Sequence, residues 1–91
     1  MQIRWSPEAE DDLERLVQHL HQDNPDAARR VARTIYEGAA SLATLPHRGR
    51  VGRFPGSREL LFPPYILVYR VGREHVEISR VYHGARDWPL A

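Results

Sequence analysis

The sequence predicts an α+β domain of order β-α-α-β-β-β, with an antiparallel sheet and a helical hairpin packed on one face. Three observations carry this. Between Ser57 and Pro89, three runs rich in β-branched and aromatic residues are separated by two short turn signals, the pattern of a three-stranded meander. Before it stand two proline-initiated segments with apolar residues at helical spacing, joined by a few residues and therefore folded into an antiparallel pair. A short alternating run, Gln2 to Trp5, opens the chain. The whole chain, residues 1–91, is long enough for one hydrophobic core and too short for two.

Each helix carries its own start signal. Ser6-Pro7 reads as N-cap and first helical position, where the missing proline N–H costs nothing. Glu8, Glu10, Asp11 and Asp12 suit the positive end of the helix dipole. Ala9, Leu13, Leu16, Val17 and Leu20 form the apolar stripe of a helix running from about Pro7 to His21. Asn24-Pro25 repeats the start signal. Ala28, Val31, Ala32, Ile35, Ala39 and Leu42 then line a second helix whose alanines allow close approach, and Pro46 ends it. Residues 46–56 hold three glycines, two prolines and three arginines. A loop of this length in a compact domain is either a solvated connector or a functional segment.

The meander's facing can be worked out from one pairing. Pro63-Pro64 ends the first strand and Gly72 to His75 forms the next turn. If Val71 opposes Val76, then Tyr69 opposes Ile78, Leu67 opposes Arg80 and Tyr65 opposes Tyr82. Tyr65, Leu67, Tyr69, Val71, Val76 and Ile78 form the more continuous apolar set and are placed against the helices. The other face carries Ile66, Val68, Arg70, Glu77, Ser79, Val81 and His83, with Arg70 opposite Glu77. Arg80 falls in core phase, which points to a bulge or a snorkelling side chain.

Composition narrows the chemistry. The chain has no cysteine, so disulfides, thiolate zinc sites and cysteine nucleophiles are excluded. The five histidines lack a ligand spacing, since a helix points His19 and His21 in different directions, and neither a metal nor a cofactor is expected. No apolar run approaches the roughly 20 residues of a membrane span, and a signal-peptide core is missing, so a soluble cytoplasmic protein is expected. The net charge of +1 hides an uneven distribution: five Arg against eight acids in residues 1–45, eight Arg against four acids in residues 46–91. All thirteen basic residues are Arg, whose planar fork grips phosphate or carboxylate through two bonds.

Read together, Arg-Glu-Leu (58–60), Tyr-Ile-Leu-Val-Tyr-Arg-Val (65–71) and Val-Glu-Ile-Ser-Arg-Val-Tyr-His-Gly-Ala-Arg-Asp-Trp-Pro (76–89) resemble the RelE/ParE toxin superfamily. The resemblance covers nearly the whole chain. It implies the toxin of a type II toxin–antitoxin pair, neutralised in a hetero-oligomer with a cognate antitoxin. Two mechanisms occur in that superfamily. Ribosome-dependent nucleases cut ribosome-bound mRNA, which requires an activated 2′-hydroxyl, cations for the phosphate and an acid for the leaving oxygen. For that mechanism His83, Arg58 and Arg80 are the catalytic candidates. The nucleases typically carry Arg directly after the first Tyr of the Tyr-x-Leu-Val-Tyr strand, where this sequence has Ile66. The His-Gly-Ala-Arg-Asp ending instead resembles ParE-type members, which inhibit DNA gyrase without nuclease chemistry.

The ParE-type reading is therefore preferred, with Arg48, Arg50, Arg58, Arg86 and Trp88 as target-binding candidates. A member that binds antitoxin but has no target is the third alternative. An antitoxin segment would have two charged surfaces open to it. Glu8, Asp11, Asp12 and Glu14 on the hairpin would attract a basic segment, and Arg58, Arg73 or Arg80 along the sheet edge an acidic one. Local readings stand beside these roles: His83 as a turn hydrogen-bonder, Arg86 paired with Asp87, and Tyr69 and Tyr82 as core residues with satisfied hydroxyls.

Overall fold

The computed structural model describes residues 1–87. Its elements are β1 (Gln2–Trp5), α1 (Pro7–Asp23), α2 (Pro25–Ser41), β2 (Arg50–Val51), β3 (Arg58–Phe62), β4 (Tyr65–Val71), β5 (His75–His83) and a single helical turn, α3 (Gly84–Asp87). The five strands form one sheet in the order β1-β5-β4-β3-β2. The α+β architecture, with its hairpin on one face, is the one the sequence predicts. Trp88 and Pro89 lie outside the described residues.

Capping chemistry sets the helix boundaries. Ser6 Oγ accepts the Ala9 N–H at 3.0 Å and Pro7 occupies the first turn. Asn24 ends one helix and starts the other: its N–H donates to Leu20 O at 2.8 Å, and its side-chain oxygen accepts the Ala27 N–H at 3.1 Å. One residue thus makes the whole interhelical turn, and α1 runs two residues beyond His21 to reach it.

The sheet departs from the simple meander in three places. β2 to β5 are antiparallel, but β1 joins the outer side of β5 in parallel, pairing Gln2 with His75 through Trp5 with Ile78. Strands joined by a tight turn must run antiparallel, whereas β1 and β5 are separated by the rest of the fold and no turn fixes their direction. Second, two residues of the glycine- and arginine-rich segment form β2 on the far edge. Third, the pairing of Val71 with Val76 and Tyr69 with Ile78 is as expected, but Val68 then faces Arg80, leaving Ser79 as a bulge. One extra residue exchanges the faces of everything after it. Val81, not Arg80, enters the core opposite Leu67, and Tyr82 moves to the opposite face beside Ile66.

The main core lies between the hairpin and the sheet, with Leu13, Ile35, Leu42, Leu67, Tyr69, Val76 and Ile78 almost completely buried. A second, smaller cluster of Ile66, Val68 and Tyr82 sits on the other face, against half-buried Phe54.

Helix and sheet meet most closely at Gly38, where an added Cβ would stand 2.2 Å from the tip of the Phe62 ring. Gly38→Ala gains up to ~1 kcal/mol in helix propensity but forces an overpacking cost of about 1–3 kcal/mol. Net destabilisation is expected in urea unfolding, and Phe62→Leu in the same chain should recover part of it.

Candidate functional site

Two polar centres flank the sheet. The first is an open cleft of about 720 Å³ where β5 runs past the end of β1, lined by α1, the second half of β5 and α3. At its centre the Asp12 carboxylate accepts two bonds from Arg80, from Nε at 2.8 Å and from the terminal nitrogen at 3.1 Å, and a third from the Val81 N–H at 2.9 Å. The Arg80 guanidinium lies 5.1 Å from the centre of the Tyr82 ring, a cation–π distance. The hydrogen bond to Asp12 raises the Arg80 pKa above its already high ordinary value, against a smaller opposing effect of burial. A raised folded-state pKa contributes stability fully present below the unfolded value and lost only as pH rises through the folded one. Arg80 therefore stays charged, and its contribution constant, across the neutral range.

At the mouth of the cleft, His83 caps the last turn. Its Nδ1 accepts the N–H groups of Ala85 at 3.2 Å and Arg86 at 3.3 Å, and its ring meets Tyr65 edge-on at 5.5 Å. The Asp87 carboxylate closes the same turn by accepting the His83 N–H at 2.8 Å. Asp87 thus serves the backbone, and among the described residues it forms no ion pair with Arg86. Arg86 and His19 are exposed on the rim.

The second centre fastens the glycine- and arginine-rich segment to the sheet. Buried Glu59 accepts from the Arg50 guanidinium at 2.7 Å and from the Arg53 N–H at 3.0 Å. The Tyr69 hydroxyl donates to Pro46 O at 2.8 Å and accepts the Gly49 N–H at 2.9 Å. Arg58 donates to Gly49 O at 2.8 Å, Arg48 to Ser41 Oγ at 2.6 Å and Arg70 to Pro55 O at 2.6 Å. Only a residue without Cβ fits at position 49, since that atom would lie 2.7 Å from both Glu59 O and the Tyr69 hydroxyl.

The sequence candidates therefore divide. Arg80, His83 and Arg86 share the cleft, whereas Arg48, Arg50 and Arg58 gather around the loop and hold it in place. Register puts Arg58 opposite Tyr69 in the core phase and Arg80 opposite Val68 in the other, so the three nuclease candidates do not converge. Trp88 lies outside the described residues. Asp12, grouped in the sequence with an exposed acidic surface, is turned inward with a side chain only 9% exposed. Glu59 was given no role from the sequence, although an acid inside the apolar-flanked run Arg-Glu-Leu-Leu-Phe was the available signal.

A five-stranded sheet under a helical hairpin, with a polar cleft at one edge and an arginine-anchored loop at the other, defines a small α+β class. The family model of the ParE toxin of type II toxin–antitoxin systems, parDE, matches residues 3–88. The chain is 40% identical over 89 residues to protein Y4kP of Sinorhizobium fredii (strain NBRC 101917 / NGR234), covering 96% of this chain and 92% of that one. It is 35% identical over 85 residues to Toxin RelE2 of Caulobacter vibrioides (strain ATCC 19089 / CIP 103742 / CB 15), covering 93% and 97%. Among solved structures, the chromosomal ParDE toxin–antitoxin system from P. aeruginosa contains a chain of TM-score 0.82 and 25% identity, with 91% of this chain and 95% of that one covered. The chain belongs to the ParE toxin family.

Asp12→Ala removes the fork to Arg80 and the acceptor for Val81, and should lower stability by about 2 kcal/mol once solvent screening of half-exposed Arg80 is allowed for. Asp12→Asn keeps an oxygen for Val81 and should lose less, as read from urea midpoints. Tyr69→Phe strands the buried Gly49 N–H and should cost about 1–3 kcal/mol, with faster hydrogen exchange at residues 46–53.

Proposed function

We propose that this ParE-family toxin arrests growth in the cytoplasm by binding DNA gyrase, without nuclease chemistry, and is silenced in a hetero-oligomer with its cognate antitoxin. The observation that carries the reading is the face of the sheet away from the hairpin. A nuclease of the related type needs cations and a proton donor there, beside Tyr65. This chain instead buries Ile66 and Val68 with Tyr82 and against Phe54, an apolar patch that cannot stabilise a crowded phosphate, and the two arginines that β4 and β5 place on that face are engaged, Arg80 by Asp12 and Arg70 by Pro55 O.

The remaining candidates support the same conclusion. Arg58 spends its guanidinium on the carbonyls of Gly49 and His47. Arg80 is held by Asp12. With Nδ1 accepting two backbone N–H groups, the neutral His83 ring carries its proton on Nε2. In that form it is a donor and not the base that would activate a 2′-hydroxyl. Exposed Arg86 remains as a group for a target contact, together with the solvent-facing sides of Arg48 and Arg50, which are otherwise engaged with Ser41 and Glu59. The P. aeruginosa ParDE complex supports the antitoxin half of the proposal by likeness.

One observation favours the nuclease alternative: Arg80 and His83 share a cleft, as phosphate chemistry would require. Induction without antitoxin separates the two. Filamentation is expected, with purified toxin blocking gyrase supercoiling and transcripts left intact during translation. His83→Asn, whose side-chain oxygen can still cap the last turn, should keep toxicity within a few-fold. Intact supercoiling with cleavage of translated transcripts would overturn the gyrase reading, and no growth defect would favour the target-less alternative.

A further inference from the structure

The outer face of the helical hairpin, turned away from the sheet, is not a uniform solvated surface. Between α1 and α2 runs a groove of about 440 Å³, walled by Leu13, Val17, Ala32 and Tyr36 and edged by Glu10 and Glu14. Tyr36 is 54% exposed. Its ring lies 5.1 Å from that of Trp5, tilted by 46°, a contact that restrains the tyrosine without covering it. A restrained, exposed aromatic beside small apolar side chains has the composition of an interface anchor. The cleft on the other side of α1 is lined by Asp12, Arg15 and His19. The groove is therefore a separate surface.

Charge along this face is divided by the antiparallel course of the hairpin. Glu10 and Glu14 stand one turn apart in the first half of α1, and Arg29 and Arg33 one turn apart in the first half of α2. Arg29, Arg33 and Tyr36 follow the i, i+4, i+7 spacing of one helix side, the side that Tyr36 places along the groove. Because the helices run in opposite directions, the arginines sit toward the Asn24 turn and the acids toward the other end. Little neutralises them within the chain. Glu10 and Arg33 have no ion-pair partner among the described residues. Glu14 meets the Gln18 amide at 3.4 Å, and Arg29 meets only exposed Asp26, a pair worth little in solvent.

We propose that this face docks a second copy of the same chain about a two-fold axis, with the two hairpins antiparallel. Rotation then brings Arg29 and Arg33 of each copy toward Glu10 and Glu14 of the other, and sets the two Tyr36 rings into the facing grooves. The opposite orientation would set acidic end against acidic end, so charge selects the antiparallel one. A contact of this kind uses the same patch twice, closes at two copies and builds no filament. Two helices of 17 residues, each about 25 Å long and about 10 Å across, present roughly 500 Å² per copy. The pair buries about 1,000 Å², the lower bound for a specific interface. The dimer is therefore reversible, and both clefts lie outside it.

Sedimentation of the purified chain, from low micromolar to several hundred micromolar, should show a monomer passing into a dimer, with weaker association as salt is raised. Glu14→Arg and Arg33→Glu should each weaken association by about ten-fold or more through like-charge contact. Both positions are exposed, so thermal unfolding should stay within a few degrees of wild type. The double variant Glu14→Arg/Arg33→Glu recreates opposite charges across the axis and should return to within about three-fold of wild type. An equimolar mixture of the two single variants should dimerise better than either alone. Arg73→Glu, in the β4–β5 turn, should leave association unchanged. A monomer at every concentration, single reversals without effect, or a double variant that is not rescued would each overturn the proposal. So would protection of this face only on addition of antitoxin or gyrase, because the groove would then belong to that partner.

Discussion

The mismatch between a four-residue β1 and a nine-residue β5 is the constraint on which much of this structure depends. Past Ile78 the outer edge of β5 must find hydrogen-bond partners other than a strand, because unpaired backbone groups at a semi-buried edge are costly. The chain supplies them by turning directly from β1 into α1. Ser6 then caps the helix and also bonds Ser79 O, while Asp12, two turns on, reaches Val81. The same bonds fix how α1 lies across the sheet and which core side chains meet. They also leave the cleft, because a helix crossing an edge cannot cover it as closely as a strand.

The bulge at Ser79 belongs to this arrangement. Without it, Arg80 would face the core opposite Leu67 and Val81 would face solvent. With it, Val81 fills the core and Arg80 emerges at the edge within reach of Asp12. A buried, unpaired guanidinium would be prohibitive, so the extra residue and the carboxylate form one solution. The contact of Arg80 with Tyr82, itself turned outward by the bulge, completes it.

On the opposite side of the sheet, arginines act less as an electrostatic surface than as crosslinks. Arg48, Arg50, Arg58 and Arg70 each bind an oxygen of the loop or its neighbours. Arg suits this work because several donors project from one plane and can satisfy carbonyls that no strand reaches. Glu59 provides the buried acceptor and Tyr69 the hydroxyl that lets residues 46–49 cross close to the core. This basic half of the chain remains charged towards solvent, but its guanidinium geometry is largely committed.

The sequence by itself determined β1, the two long helices and their hairpin, the three strands of the meander, the core set from Tyr65 to Ile78 and the family, but not β2 or α3. Those features rest on local signals: helix caps at Ser6 and Asn24, 3.6-residue and two-residue periodicities, and contiguous motifs. What only the tertiary structure decided involves residues far apart in the chain. The parallel pairing of β1 with β5, the inward turn of Asp12 toward Arg80 across 68 positions, and the service of Glu59 and Tyr69 to a distant loop leave no periodic trace. A single inserted residue at Ser79 reverses facing by an amount periodicity cannot register, since both phases of β5 carry apolar side chains. The charge pattern likewise gave the number of arginines but not their partners, because a guanidinium bound to a carbonyl and one awaiting a target are spelled with the same residue.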